Sequence, residues 1–214
     1  DRIILTDVFD ATSLNLGVEA AQFFANGINT KTTGIDVVLN YKKSFVNGNS
    51  SINFGIAGNV NDTEITKINN GDLNQFTFFS PFSEAYVKAA APKYKLGFNL
   101  GAQKGKFDFQ LAYTLFSEVT LQDFQWVDTP ATTQAEADAL YEIASDIYKS
   151  ASTIDLSLGY QITKKVKFTL GSNNILNTYP TPQFDTWTDQ GGFNDSVQMG
   201  SDGRYLFGRV SFGF

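Results

Sequence analysis

The sequence contains no cysteine and no histidine. Their joint absence removes disulfide frameworks, Cys- and His-based metal sites, catalytic thiols and Ser-His-Asp triads. Any chemistry would have to run on carboxylates, lysine, tyrosine or serine. Charge is also scarce: 18% of the residues, against roughly 25% in an average soluble domain. With 16 basic and 22 acidic side chains and a net charge of −6, there is no basic footprint for a phosphate backbone, which argues against nucleic acid as a partner. No apolar run approaches the roughly 20 residues of a membrane helix. No signal-peptide pattern opens the chain either. Asp1-Arg2-Ile3-Ile4-Leu5 already reads as a strand. The low charge and high phenylalanine content then suggest an internal piece of something longer, rather than a cytosolic protein or a mature product.

What is present is apolar and aromatic. Of the 214 residues, 42% are apolar, and 20 Phe, 9 Tyr and 2 Trp make up an aromatic share of 14%. Such a chain has ample surface to bury and is not disordered. Apolar and small polar residues alternate through 34–42, 51–61, 93–101, 107–115, 154–162, 166–171 and 206–214. Period two is the strand signature. With residues 2–8 the count is eight strands. The polar positions are mostly Asn, Gln, Ser, Thr, Gly and Asp, a set that suits a polar lumen as well as bulk water.

The connections alternate between long (9–22, 69–92, 121–150, 178–202) and short (44–50, 105, 163–165). Outer-membrane barrels are built this way, with short periplasmic turns and long extracellular loops. The expected fold class is therefore all-β: an antiparallel up-and-down transmembrane β-barrel segment of about eight strands, with 1–214 as one unit. Lys42, Lys43, Lys104, Lys106, Lys164 and Lys165 in the turns would sit at headgroup level, and outer-membrane lipid is the implied partner of the apolar face. One short loop helix is expected over 133–148, because Thr133 to Glu136 has the capping-box form and Leu140, Ile143, Ala144 and Ile147 follow at helical spacing.

Candidate sites are few. Phe76, Phe78, Phe79 and Phe82, with Trp126 and Trp187, lie in loops where no strand face explains them. Stacking on a ligand is one use for them; loop packing or an interfacial girdle is another. Asp185, Asp189, Asp195 and Asp202 crowd the last loop without the spacing of a calcium site, so solvated loop acids account for them and no metal or cofactor is assigned. No pair of carboxylates stands at a telling spacing for glycosidase chemistry, and no catalytic residue is assigned. Asp36, Asp155 and Arg209 fall on polar strand positions and would face the lumen. There, an ion pair from Arg209 to Asp155 or Asp36 would spare an unpaired charge.

The run from Asp155 through Gly159-Tyr160-Gln161-Ile162-Thr163 to Gly171-Ser172-Asn173-Asn174-Ile175-Leu176-Asn177-Thr178-Tyr179-Pro180 resembles the penultimate hairpin of TonB-dependent outer-membrane receptors. The ending Arg204-Tyr205-Leu206-Phe207-Gly208-Arg209-Val210-Ser211-Phe212-Gly213-Phe214 is similar to the family's closing strand, and Asn29 to Asp36 to one of its strand entries. The resemblance implies the C-terminal part of such a barrel, about a third of roughly 22 strands, without a plug domain. It also implies active transport across a Gram-negative outer membrane. The ligand would be a small molecule or glycan (siderophore, cobalamin or glycan), with the TonB complex a partner through the missing plug. The alternative is a stand-alone small barrel or β-sandwich acting as a binding or adhesion module.

Overall fold

The computed structural model describes residues 26–45, 48–89, 92–122, 131–183, 192–193 and 199–213. In chain order these form β1 (Ile28–Ser44), β2 (Ser50–Ile68), α1 (Gln75–Phe78), α2 (Pro81–Ala89), β3 (Tyr94–Lys104), β4 (Phe107–Phe116) and β5 (Val119–Gln122). They continue with α3 (Gln134–Ala144), β6 (Ser145–Tyr148), β7 (Ala151–Gln161), β8 (Val166–Asn173) and β9 (Tyr205–Phe212). Seven strands make one sheet in the order β1-β2-β3-β4-β7-β8-β9, every neighbour antiparallel, so the architecture is all-β and up-and-down. A separate ribbon pairs β5 with β6. Among the described residues the sheet is open, with β1 and β9 at its edges. The strand expected over 2–8, and with it the question of first-to-last pairing, lies outside the described residues.

The register shows why alternation in sequence becomes two unlike faces. Directly paired residues of an antiparallel ladder point to the same side. One such row runs Lys43, Ile52, Ala102, Phe109, Leu158, Leu170, Gly208 across all seven strands. The next runs Tyr41, Phe54, Leu100, Leu111, Leu156, Ser172, Leu206. A one-residue slip within these rows would invert a strand; the β1–β2 ladder shifts only between Asn29 and Thr30, beyond them.

The polar face alternates small and large instead. A Cβ built on Gly55 would meet Asn99 Nδ2 at 2.6 Å and Asn40 Oδ1 at 2.7 Å, so the glycine leaves room for two amides to lean over the strand. Gly159 does the same for the ion pair of Lys167 with Asp108, which bridges across it at 2.5 Å.

Short turns gather at one end of the sheet (45–49, 105–106, 162–165) and long connections at the other. At the long end the β1–β2 ribbon continues past β3, since β2 pairs with β3 only as far as Val60. Two expectations are corrected here. The connection 69–92 is not plain loop: it holds α1 and α2, so among the described residues the loops carry three helices rather than one. Asn74 caps α1 by accepting from Phe76 N and Thr77 N, while Ser80 Oγ accepts from Ser83 N and Pro81 takes the first position of α2. The second correction is the end of α3. The helix stops at Ala144, and Ser145–Tyr148 is strand, because those residues find ladder partners in Val119–Gln122.

Candidate functional site

Two surfaces and one layer make up the candidate site. The first surface is the apolar face. In a soluble protein it would be covered, yet Ile35 and Leu206 are each 70% exposed and Leu158 58%. Contiguous apolar surface on this scale marks an interaction with lipid or protein. Near the short turns it carries aromatic pairs, Tyr41 with Phe54 at 5.3 Å and Phe107 with Tyr160 at 4.8 Å between ring centroids. Lysines lie over neighbouring rings, Lys43 over Phe45 and Lys106 over Tyr160. An apolar band edged by aromatic rings and lysine stems is the arrangement that suits a membrane–water boundary.

The second surface is the polar face, on which the register places Asp36, Asp155 and Arg209. They do not meet as expected. Asp155 Oδ1 accepts from Asn174 N at 2.7 Å, and the Arg209 guanidinium lies 5.8 Å from the centre of the Phe207 ring. Among the described residues, the ion pair on this face is Lys167 with Asp108. Asp155 thus holds a turn. Asn174 takes the left-handed conformation at φ 48°, donates from Nδ2 to Thr178 O and accepts at Oδ1 from Thr178 N, and Asn177 at φ 59° accepts from Arg204 N. Asn tolerates this backbone region because its short side chain bonds locally. The Asn-Asn-Ile-Leu-Asn run closes β8 and redirects the chain toward β9.

The layer lies over the long-connection end. Val119, Leu121 and Tyr148 of the ribbon cluster with Ala89 of α2, and Leu121 and Tyr148 are fully buried. A second cluster joins Ala131, Ala137 and Leu140 to Phe76 of α1. The Thr133–Glu136 capping box starts α3 as the sequence indicates. Its Glu136 carboxylate accepts from the backbone N–H and then the hydroxyl of Thr132, and from Thr133 N, and these bonds hold its pKa below the ordinary value. Asn74 Nδ2 donates to Thr132 O and ties α1 to the start of α3.

Between these elements are two clefts. The smaller, about 140 Å³, is lined by Phe76, Pro81, Ala85, Gln122, Ala137 and Tyr141. The larger, about 580 Å³, shares Ala85, Lys88 and Tyr141 with it and reaches Tyr94, Val119 and Ser150. Charge is balanced locally: Lys88 pairs with Glu84, and Gln134 Nε2 donates to Asp138 at 2.9 Å. One polar group is out of balance. Gln122 is only 1% exposed, yet neither its Nε2 nor its Oε1 has a hydrogen-bond partner, and the same holds for Ser145 Oγ on the residue paired directly opposite. Each buried unpaired polar group costs about 1–3 kcal/mol.

The loop aromatics divide accordingly. Phe76 lines the smaller cleft. Phe78 rests on Gly27, whose built Cβ would meet the ring at 3.0 Å, Phe79 closes α1 by donating to Gln75 O, and Phe82 is half-buried on α2. Trp126 and Trp187 lie outside the described residues, as do Asp185, Asp189 and Asp195. Sequence reasoning passed over Gln122, Tyr141 and Ser145. Their one signal was the short alternation Val119-Thr120-Leu121-Gln122, and Tyr141 falls on the flank of the counted apolar stripe of α3.

No family model matches the sequence, and no curated protein matches it. Among solved structures the chain is similar to one described as "Copper transporter OprC", at 15% identity and a TM-score of 0.48. The match covers 87% of this chain and 24% of that one, so the chain spans about a quarter of the length of that protein.

Proposed function

We propose that this chain is wall and loops of a TonB-dependent transport receptor in a Gram-negative outer membrane. The observation that carries the reading is the unbroken, solvent-exposed apolar face over seven strands, set against a polar face of amides, glycines and the Lys167–Asp108 ion pair. Outer-membrane lipid covers the first face and the second lines the lumen. The short turns lie on the periplasmic side and the helix-bearing connections outside, where they meet the ligand. The resemblance of the 155–180 and 204–214 segments to the family's last strands supports the same assignment. In this reading the chain supplies a siderophore, cobalamin or glycan receptor with part of its wall and ligand-facing loops. Coupling to the TonB complex passes through a plug domain, and no catalytic step is involved.

Site-directed labelling in the intact parent protein tests the orientation. A small epitope tag at Gly192 should be labelled on whole cells, whereas one at Gly105, in the tight turn at φ +60°, should be labelled only after permeabilisation. Equal labelling of both tags on whole cells would overturn the reading.

A further inference from the structure

The buried, unpartnered side chains of Gln122 and Ser145 sit on directly opposed residues of the β5–β6 ribbon, and Gln122 lines the smaller cleft. Native proteins rarely leave such groups unpaired, and each instance calls for a cause. A leucine or methionine would occupy the Gln122 site without that cost, beside Phe76, Pro81, Ala85 and Ala137, which line the same cleft. A carboxamide offers a donor and an acceptor side by side, which is the complement of another amide. The serine hydroxyl adds a third group that can donate or accept.

The surroundings select among ligands. Glu84 and Lys88 satisfy each other, and Asp138 is engaged by Gln134, so the smaller cleft offers no free cation to an anionic group, and the larger one adds Lys93 and Glu118, one charge of each sign. The remaining walls of the smaller cleft, Phe76, Pro81, Ala85 and the half-exposed ring of Tyr141, are flat and apolar. The smaller cleft is large enough for one functional group, and the larger one beyond Ala85, Lys88 and Tyr141 has room for the body that carries it.

We propose that Gln122, backed by Ser145 on the residue paired opposite, forms the floor of a binding site for a neutral, amide-bearing ligand whose apolar side lies against Phe76 and Tyr141. The proposal rests on the reading of the long connections as the ligand-facing layer. The amide of the ligand replaces the missing partners of Gln122, while Ser145 fixes its orientation. Binding is therefore more sensitive to the amide than to the rest of the molecule.

The test uses the intact parent protein in detergent, with N-acetylglucosamine as the amide probe, glucose as the same ring without the amide, and citrate as an anion. N-acetylglucosamine should bind and raise the unfolding midpoint, and glucose should bind at least tenfold more weakly. Citrate should leave the midpoint unchanged. Gln122→Leu should lower affinity for N-acetylglucosamine at least tenfold while raising the urea midpoint of the free protein, because an unpaired amide has been removed. Ser145→Ala should weaken binding several-fold with an unchanged or higher midpoint. A purely structural glutamine would move stability and not affinity. Failure of the wild-type protein to bind N-acetylglucosamine, glucose binding as tightly, or equal binding by Gln122→Leu would each overturn the site. The labelling of Gly192 and Gly105 would be untouched by any of these results, so the failure of this site and the failure of the receptor reading are distinguishable.

Discussion

A lysine scan down one strand of the apolar face gives the sharpest test of where the bilayer lies. On β7, Leu156, Leu158 and Tyr160 share the apolar side and lie five, three and one residues from Gln161 at the short-turn end. A strand rises about 3.4 Å per residue, and a tilt of about 40° leaves about 2.6 Å of height each. The three positions therefore stand about 13, 8 and 3 Å above the turn. The apolar band of such barrels is about 25 Å tall, so Leu156 falls near the midplane, Leu158 between midplane and boundary, and Tyr160 at the boundary. Lysine should cost about 2–4 kcal/mol at Leu156, an intermediate amount at Leu158 and at most about 1 kcal/mol at Tyr160. The polar-face control Asn99→Lys, at an exposed position, should be nearly neutral. Guanidinium unfolding of the parent protein from phosphatidylcholine vesicles measures each value. A flat profile within about 0.5 kcal/mol is what an ordinary solvated surface gives. That result, or a maximum at Tyr160, would refute the lipid-facing assignment.

Three further outcomes follow from local geometry. Gly159→Val should cost about 1–3 kcal/mol, because its side chain would displace Lys167 from Asp108, and a crystal structure of the variant with that ion pair intact would contradict the account. Asn174→Ala should destabilise the β8 exit by about 1–2 kcal/mol through the lost bonds to Thr178 and the left-handed backbone, and Asn174→Gly by less, as read from amide exchange at Thr178. Glu136 has a folded pKa below its unfolded one, so its contribution to α3 is fully present above the ordinary carboxylate range and is lost as pH falls through the lowered value. Protection factors in Gln134–Ala144, corrected for the intrinsic exchange rate at each pH, should fall at pH 3 relative to pH 6, and Glu136→Gln should remove most of that difference; equal protection at both pH values in the wild type would refute it.

How much of this was legible in the sequence depends on whether a segment has one wet face and one apolar face. The seven wall strands do, so Leu39, Ile56, Phe98, Leu111 and Leu156 announce themselves by period two, and the ladder register joins them on one side. The far ends of β1 and β2 do not. Asn29-Thr30-Lys31-Thr32-Thr33 shows no apolar alternation, because the ribbon there projects beyond β3 and is held by backbone pairing and by contacts such as the Thr32–Thr63 hydroxyl bond at 2.8 Å. Arg209 was legible as a polar-face residue, but its neighbour could not be read, since the choice between Asp155 and the Phe207 ring turns on the turn geometry that draws Asp155 to Asn174.

The loop layer was hidden for a different reason. Helical spacing over 133–148 is real as far as Ala144, yet the same spacing places Ile147 on a helix that does not exist, because Ser145 to Tyr148 are drawn into ladder bonds by a four-residue segment 23 or more positions upstream. A window of local sequence contains no such term. The same non-local pairing sets Gln122 opposite Ser145 while α2 packs beside Gln122, so the polar node arises only once two separate connections have folded together. A wall strand needs only its neighbour's register to acquire its role. A loop site needs the whole layer, which is why the wall can be read from residue alternation and the binding floor only from the assembled structure.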